Sequence, residues 1–545
     1  MAYAELSVYF VFLFIMCYGK IINKITKKRI ISFMKRFILN KHYIFTVIVS
    51  GFIFAYFLYC FRMWYLDDVF ISMRYARNWV CGNGLVFNNG EQVEGYTNFL
   101  WVMLMAFGFK LKQNVVLTAR IEGIILSLIV FAVMFRYLMK NVCFPPLIFF
   151  LLNILFVSQG AFAVWANSGM ETMLFTALIT GSVLLIAQPS RRLWLIGLAG
   201  FGFALATLTR PEGIFGFVVS ACFILCSDMR QYNFSRKRLI QVCCFSIPFI
   251  IFYLPYFWWR FHYYGWLFPN TYYAKVDNSA YHIIRGTKYT ASFIIDHIFV
   301  ISTIAGVLLN KDRKNPVIHY FLAIIVIYTC NVIYVGGDVF PAYRFFTPIL
   351  PLVYLCFSHG IYSLWEKSNS IVRGLVVFLL IFCICFQLFQ LNFRKDYRRV
   401  YADRVSDIGR KIGLWLRDKV PPSTVVALNP VGAIPYYSRL RAIDMLGLTD
   451  AYIAHNASRV NSIWAGHEIG DGEYILSRKP DIIILDGPWG DITPLFKGDY
   501  ELAENKKFWE EYQFMNIAVD DIIFQCFIRK DSQSLMKIMN RFRCF

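Results

Sequence analysis

Two adjacent carboxylates, Asp67 and Asp68, follow a few residues after a long apolar run. Neighbouring acids repel, so one of them titrates high unless a cation or a metal offsets the charge. That equips the pair for general-base work or for holding a divalent cation, Mg or Mn. The plainer alternative is a helix N-cap ahead of residues 69–78. Cations and further acids stand in other short polar stretches. TRPEG holds Arg210 and Glu212, WRFHYYGWLFPNTYYAK holds Arg260, His262, Asn270 and Lys275, and GGDVFPAYR holds Asp338 and Arg344. WANSGME adds Glu171, and the stretch that opens on the acidic pair closes on EGYTNFLW, with Tyr96 and Asn98. Cations beside apolar segments suit a phosphate whose lipid tail lies in a bilayer, while carboxylates suit proton abstraction or sugar hydroxyls. The Tyr and Trp of the same stretches offer flat faces for a sugar ring or a prenyl chain; the aromatic belt of a membrane protein is the bland alternative.

The elements that position these residues follow from composition. Of 545 residues, 58% are hydrophobic and 16% charged, against about 25% charged in soluble domains. This excludes a disordered chain, a collagen-like chain and a cytosolic globular enzyme, and points to an α-helical polytopic membrane protein. A span needs about 20 apolar residues. Eleven segments qualify: 42–61, 116–138, 144–163, 172–187, 193–209, 213–228, 239–258, 291–309, 316–335, 345–364 and 371–391. Residues 6–19 are short enough to be a first span, a surface helix or a signal-like stretch, so the expectation is 11–12 transmembrane helices. Residues 99–110 read as an interfacial or re-entrant helix.

The net charge of +21 collects in the gaps between spans. Residues 20–41 carry eight Lys or Arg and no acid, and further clusters are Arg191 with Arg192, Arg230 with Arg236, Lys237 and Arg238, and Lys311 with Arg313 and Lys314. This is the positive-inside pattern, and it needs no nucleic-acid partner. Eleven crossings then send loops 62–98, 164–171, 209–213, 259–290 and 336–344 to the opposite face, with everything beyond residue 393. The expected division is an N-terminal apolar and basic stretch at 1–41, a transmembrane domain at 42–392 with its first outer loop at 62–98, and an outer domain at 393–545. That last part reads as soluble α/β: an amphipathic helix over 399–419 with Ile408, Ile412 and Leu416 on one face, then strands at 424–428, 481–485 and 522–528. The fourteen Cys lie mostly in apolar runs and form no disulfide framework. There is no phosphate-binding GxxxxGK, no dinucleotide glycine fingerprint and no HExxH.

The ordered set DDVFISMRYARN, GLVFNNGEQVEGYTNFLW, WANSGMET, LTRPEG, YYGWLFPNTYYAK, VGGDVFPAYRF, AIDMLGLTDAYIAH and AGHEIG resembles the polytopic glycosyltransferases of the GT-C class. Within that class it resembles the family of the mycobacterial terminal β-(1→2)-arabinofuranosyltransferase, over roughly residues 64–470. The resemblance implies a polyprenyl-phosphate-linked sugar donor, a cell-envelope glycan or lipopolysaccharide acceptor, and surrounding membrane lipids as partners. It implies a bacterial inner membrane location, with the site and the C-terminal domain periplasmic. Carried onto this chain, Asp67 or Asp68 would deprotonate the acceptor or hold a divalent cation. Arg344 and Lys275 would bind the donor phosphate, with Arg210 and Arg260 as further candidates. Glu171, Glu212, Asn270, Asp338, Tyr96, Asn98, His262 and His467 would contact substrate. The competing readings are a transporter or flippase of lipid-linked sugars, which should show repeated halves and midplane charges, and a lipid A or protein glycosyltransferase of the same architecture.

Overall fold

The computed structural model describes residues 41–544 apart from 143, 189–191, 227–235, 278, 300, 303–314, 367 and 463. The short apolar segment 6–19, the basic stretch up to residue 40, and the basic residues Arg191, Arg230, Lys311, Arg313 and Lys314 lie outside the described residues, as does part of the expected span 291–309.

The chain begins with α1 (Lys41–Cys60), then α2 (Asp68–Val80) and α3 (Phe99–Lys110) in and after the first loop, and α4 (Val115–Asn141). Next come α5 (Pro146–Val157), α6 (Gly160–Asn167), α7 (Thr172–Ile186), α8 (Leu193–Thr209) and α9 (Gly213–Cys226). The membrane part closes with α10 (Arg236–Tyr264), α11 (Asn270–Lys275), α12 (Ala280–Asp296), α13 (Pro316–Tyr334), α14 (Leu350–Glu366) and α15 (Ser370–Phe393). This is a multi-pass, mainly helical membrane protein.

Among the described residues, six helices are long and apolar enough to cross a bilayer, or seven if α5 and α6, bent by 44° at their junction, count as one. These match the expected spans 42–61, 116–138, 144–163, 239–258, 316–335, 345–364 and 371–391. The expected segments 172–187, 193–209 and 213–228 form the shorter apolar helices α7, α8 and α9, with 15, 17 and 14 described residues. At about 1.5 Å per residue they fall short of the roughly 30 Å hydrocarbon core. Each stops or starts at a polar stretch: α7 begins after Glu171, and α8 ends where Arg210 precedes Pro211, a residue that disfavours helix before it. The short apolar helix at 99–110 is α3, with eight of its twelve residues buried.

After Phe393 the composition turns polar. The amphipathic segment forms two helices, α16 (Lys395–Ala402) and α17 (Val405–Lys419), where one was expected. Asp403 breaks it, accepting from the amide of Val405 at 3.0 Å and from Trp64 Nε1 at 3.1 Å. Ile412 and Leu416 are buried as the pattern required. A five-stranded sheet follows in the order β2-β1-β3-β5-β4, built from β1 (Val425–Leu428), β2 (Arg441–Asp444), β3 (Ile482–Ile484), β4 (Tyr512–Val519) and β5 (Ile522–Arg529). β1 runs parallel to β2 and β3, and β5 is antiparallel to β3 and β4. The sequence shows β1, β3 and β5; β2 and β4 are additional, since four residues give little pattern and Gln513 and Asn516 interrupt the other.

This domain is fastened to the first loop. Arg74 of α2 donates to the carbonyls of Pro435 (2.6 Å) and Leu440 (2.8 Å), and Arg77 to that of Tyr436 (2.7 Å). The Asn88 amide exchanges two bonds with Ala442 on edge strand β2, covering an otherwise open strand edge.

Candidate active site

The two adjacent acids have different surroundings. Asp67 points its carboxylate into the C-terminal domain, accepting from the amides of Gly432 at 2.9 Å and Ala433 at 2.8 Å. A side chain at Gly432 would collide with Asp67, so glycine there is what lets the two parts close up. Burial pushes the Asp67 carboxyl up to about 7, helped by the charges of Asp68 and Asp403 and opposed by the two amides. Asp68 opens α2 and makes no hydrogen bond or ion pair with any described residue.

Two groups from distant parts of the sequence share the space of Asp68. Lys275, the last residue of α11, runs beside Gly466, where a Cβ would sit 3.1 Å from the lysine chain. Its ammonium likewise has no hydrogen-bond or ion-pair partner among the described residues. His467 stacks on Phe496 at 5.1 Å and turns Nδ1 to the carbonyl of Ala465. Burial and then the charge of Lys275 hold this imidazole below the ordinary histidine value, while Asp68 pulls the other way. Asp68 and Lys275 thus each lie within electrostatic reach of His467. The loop carrying His467 is pinned to the membrane part by Arg285 bonded to Glu468 and by Arg459 bonded to the carbonyls of Tyr273 and Ala274.

A second cluster joins four stretches. Arg210 binds Glu171 at 2.9 Å and Glu212 at 3.0 Å through its two terminal nitrogens. Asn98 donates to Glu171 at 2.8 Å and is bonded to Ser72. Arg344 holds Asp338 through Nε and Nη2 at 2.8 and 3.0 Å, with its guanidinium over Phe340 and Phe345. Although burial acts to raise it, the Arg210 guanidinium keeps the Glu212 carboxyl below its usual range. Arg210, Glu212 and Arg344 line one narrow cavity with Thr172, Tyr328 and Asn331. Two of its lining atoms, Glu212 Oε2 and Thr172 Oγ1, are buried with no partner. Neither Thr172, Tyr328 nor Asn331 was among the expected site residues, since uncharged residues inside apolar helices carry no local signal.

Four expected residues have other places. Arg260 is buried against Glu94 (2.7 and 3.0 Å) and the carbonyls of Leu267 and Trp266. Tyr96 bonds Tyr264 at 3.1 Å in the core. Asn270 donates to the carbonyls of Gly447 (2.8 Å) and Leu448 (3.1 Å), anchoring α11 to the C-terminal domain. His262 is exposed on α10, bonded to the Trp258 carbonyl four residues back. Glu94, the missed partner of Arg260, stands inside the EGYTNFLW stretch, where an unmatched acid beside an apolar run was the available hint. For a divalent cation the donors do not fit: both Asp67 oxygens accept backbone amides, and among the described residues no three His, Cys, Asp or Glu converge on a metal position.

Residues 394–527 match a family model described as a domain of unknown function, DUF8728. The chain superposes on ArnT from Cupriavidus metallidurans bound to undecaprenyl phosphate, with a TM-score of 0.58 over 89% of this chain and 97% of that one, at 10% identity. The fold is that of the GT-C glycosyltransferases. Two curated relatives share sequence. The terminal β-(1→2)-arabinofuranosyltransferase of Mycobacterium tuberculosis is 26% identical over 274 residues, 47% of this chain and 42% of that protein. That of Corynebacterium glutamicum is 49% identical over 49 residues, 9% of this chain and 7% of that protein. The matched stretches span less than half the length of these relatives. On the GT-C fold, the acidic first loop, α11 and the loop 459–470 meet where the membrane part joins the C-terminal domain.

Proposed function

We propose that this chain is a glycosyltransferase that moves one sugar, arabinofuranose or a related pentose or hexose, from a polyprenyl phosphate to an envelope glycan or lipopolysaccharide. The observation that carries the reading is the unspent pair: a carboxylate, Asp68, and an ammonium, Lys275, within reach of one His467 and with no hydrogen-bond or ion-pair partner among the described residues. An uncompensated acid and base held together at the edge of a membrane domain are costly unless a substrate uses them. The GT-C fold and the undecaprenyl phosphate bound by ArnT support a lipid-linked donor.

In this reading the acceptor hydroxyl gives its proton to Asp68 while its oxygen bonds to the anomeric carbon. The bond from that carbon to the phosphate oxygen breaks, and its electron pair leaves with the polyprenyl phosphate. Lys275 offsets the charge gathering on that phosphate, the electrostatic stabilisation that usually dominates such steps. A single displacement of this kind inverts the anomeric centre. Arg344 Nη1 and Arg210 Nε stay outside their carboxylate pairs, and both are assigned to the donor as well. Glu171, Glu212 and Asp338 hold these arginines in place, Asn98 steadies Glu171, and no step is routed through a metal. The working face is assigned to the periplasmic side of a bacterial inner membrane, where a lipid-linked donor replaces the absent nucleotide sugars.

The test is transfer from a panel of radiolabelled polyprenyl-phosphate sugars by purified protein, with Asp68→Asn alongside. Transfer that vanishes in the variant is the expected result. Flipping of lipid-linked sugar in liposomes with no transfer from any donor would replace the transferase by a transporter.

A further inference from the structure

A second cavity, of ≈ 590 Å³, opens between the end of α1, the start of α4 and the helices α16 and α17. That volume is in the range of small-molecule sites. Its walls come from both parts of the molecule: Tyr65, Phe70 and Arg120 from the membrane part, Tyr401, Asp407 and Tyr437 from the C-terminal domain. Phe70 is buried against Tyr437 at 5.3 Å, while Tyr401, stacked on Phe61 at 5.1 Å, is 53% exposed and turns an aromatic surface to an occupant. The polar groups come in two kinds. Arg120 is spent on the carbonyls of Asn167 and Trp64, and Asp403 on Trp64 and Val405. Asp407 meets Arg404, Arg410 and Lys411 through long contacts of 3.5, 3.8 and 3.9 Å, which are worth little and readily exchanged.

We propose that this cavity binds the acceptor glycan. The proposal rests on the transferase reading and supplies the half of the reaction that the Asp68 region leaves open. An open aromatic surface beside exchangeable carboxylate and guanidinium groups suits a sugar ring, whose apolar face stacks while its hydroxyls both donate and accept. The lining sets Asp403 and Asp407 beside Arg120, Arg404 and Arg410, so charge alone does not separate a glycan from a phosphate headgroup, and competition by undecaprenyl phosphate does. The position also fits: the charge of Asp403 reaches Asp67, the neighbour of the catalytic carboxylate. A glycan lying here rests on Tyr65 and Phe70, which flank the acidic pair in the chain.

Binding is measured apart from transfer, by saturation-transfer NMR on the full chain in detergent, with arabino-, manno- and glucosamine tetrasaccharides as probes. Tyr401→Ala and Asp407→Ala alter exposed side chains and should leave the thermal midpoint intact. The expected result is that at least one probe binds, that each variant weakens it by about tenfold, the worth of one charge-assisted contact, and that undecaprenyl phosphate does not compete. In steady state the variants raise the acceptor KM and leave the donor KM unchanged. No binding by any probe, binding untouched by both variants, or displacement by undecaprenyl phosphate overturns the proposal. Glycan binding of this pattern in a protein that transfers no sugar would overturn the transferase reading alone.

Discussion

Two buried or half-buried charge clusters near the same membrane edge use the same residue types to opposite ends. At Arg260 and Glu94 the guanidinium meets a carboxylate and two carbonyls, and every strong donor is spent. At Asp68 and Lys275 neither charge has a bonded partner among the described residues, though each lies in the field of His467. The first cluster holds α10 to the first loop. The second holds nothing and is therefore free to act. The kind of charged residue at a membrane edge does not separate scaffold from chemistry; whether its bonds are already made does.

Substitutions can break that contrast. The largest effect is expected at Asp68→Asn: transfer falls by about 10²–10⁴-fold, the usual worth of a general base, with an unchanged thermal midpoint. Equal turnover in Asp68→Asn with loss in Asp67→Asn would exchange the two roles. At the other cluster, Arg260→Met should cost about 3–5 kcal/mol of stability by stranding Glu94, seen as a lowered melting midpoint, while the surviving folded protein keeps its kcat. Adding Glu94→Leu should recover much of that loss, and a double variant no more stable than the single would refute the scaffold role. Lys275→Ala is expected to weaken donor engagement by roughly 1.5–3 kcal/mol, the scale of a hydrogen bond to a charged group, read as a raised donor KM with a lowered kcat.

A separate effect concerns pH. Asp67 stands near 7 in the folded chain against an ordinary 3.8, so between those values the folded state binds the extra proton. Stability from this group is full below about pH 4 and is lost as pH rises through 7. Melting midpoints measured across that window should fall more steeply in the native protein than in Asp67→Asn, and parallel curves would remove the assignment.

Much of the architecture can be read from the chain. Long apolar helices, the polar C-terminal region and three of its five strands follow from runs and periods that a few residues carry. The short helices α7, α8 and α9 fall on the expected apolar segments 172–187, 193–209 and 213–228; what an apolar run does not give is the bend between α5 and α6 inside 144–163. At the site, the residue types are legible and their allegiance is not. Asp67 and Asp68 look alike in sequence; Gly432, hundreds of residues away, separates them by taking one carboxylate. Asn270 and Arg260 read as binding residues because the carbonyls and the acid that occupy them belong to other segments.

The bonds from Arg74, Asn88 and Asn270 run to backbone carbonyls of Pro435, Leu440, Ala442, Gly447 and Leu448. Such bonds read the path of the partner's main chain rather than its side chains. A C-terminal domain transplanted from a relative would therefore seat only if its backbone followed the same course, and the first loop would have to travel with it. The exchangeable unit in this architecture is a pair of segments far apart in the chain, transferable together and not singly.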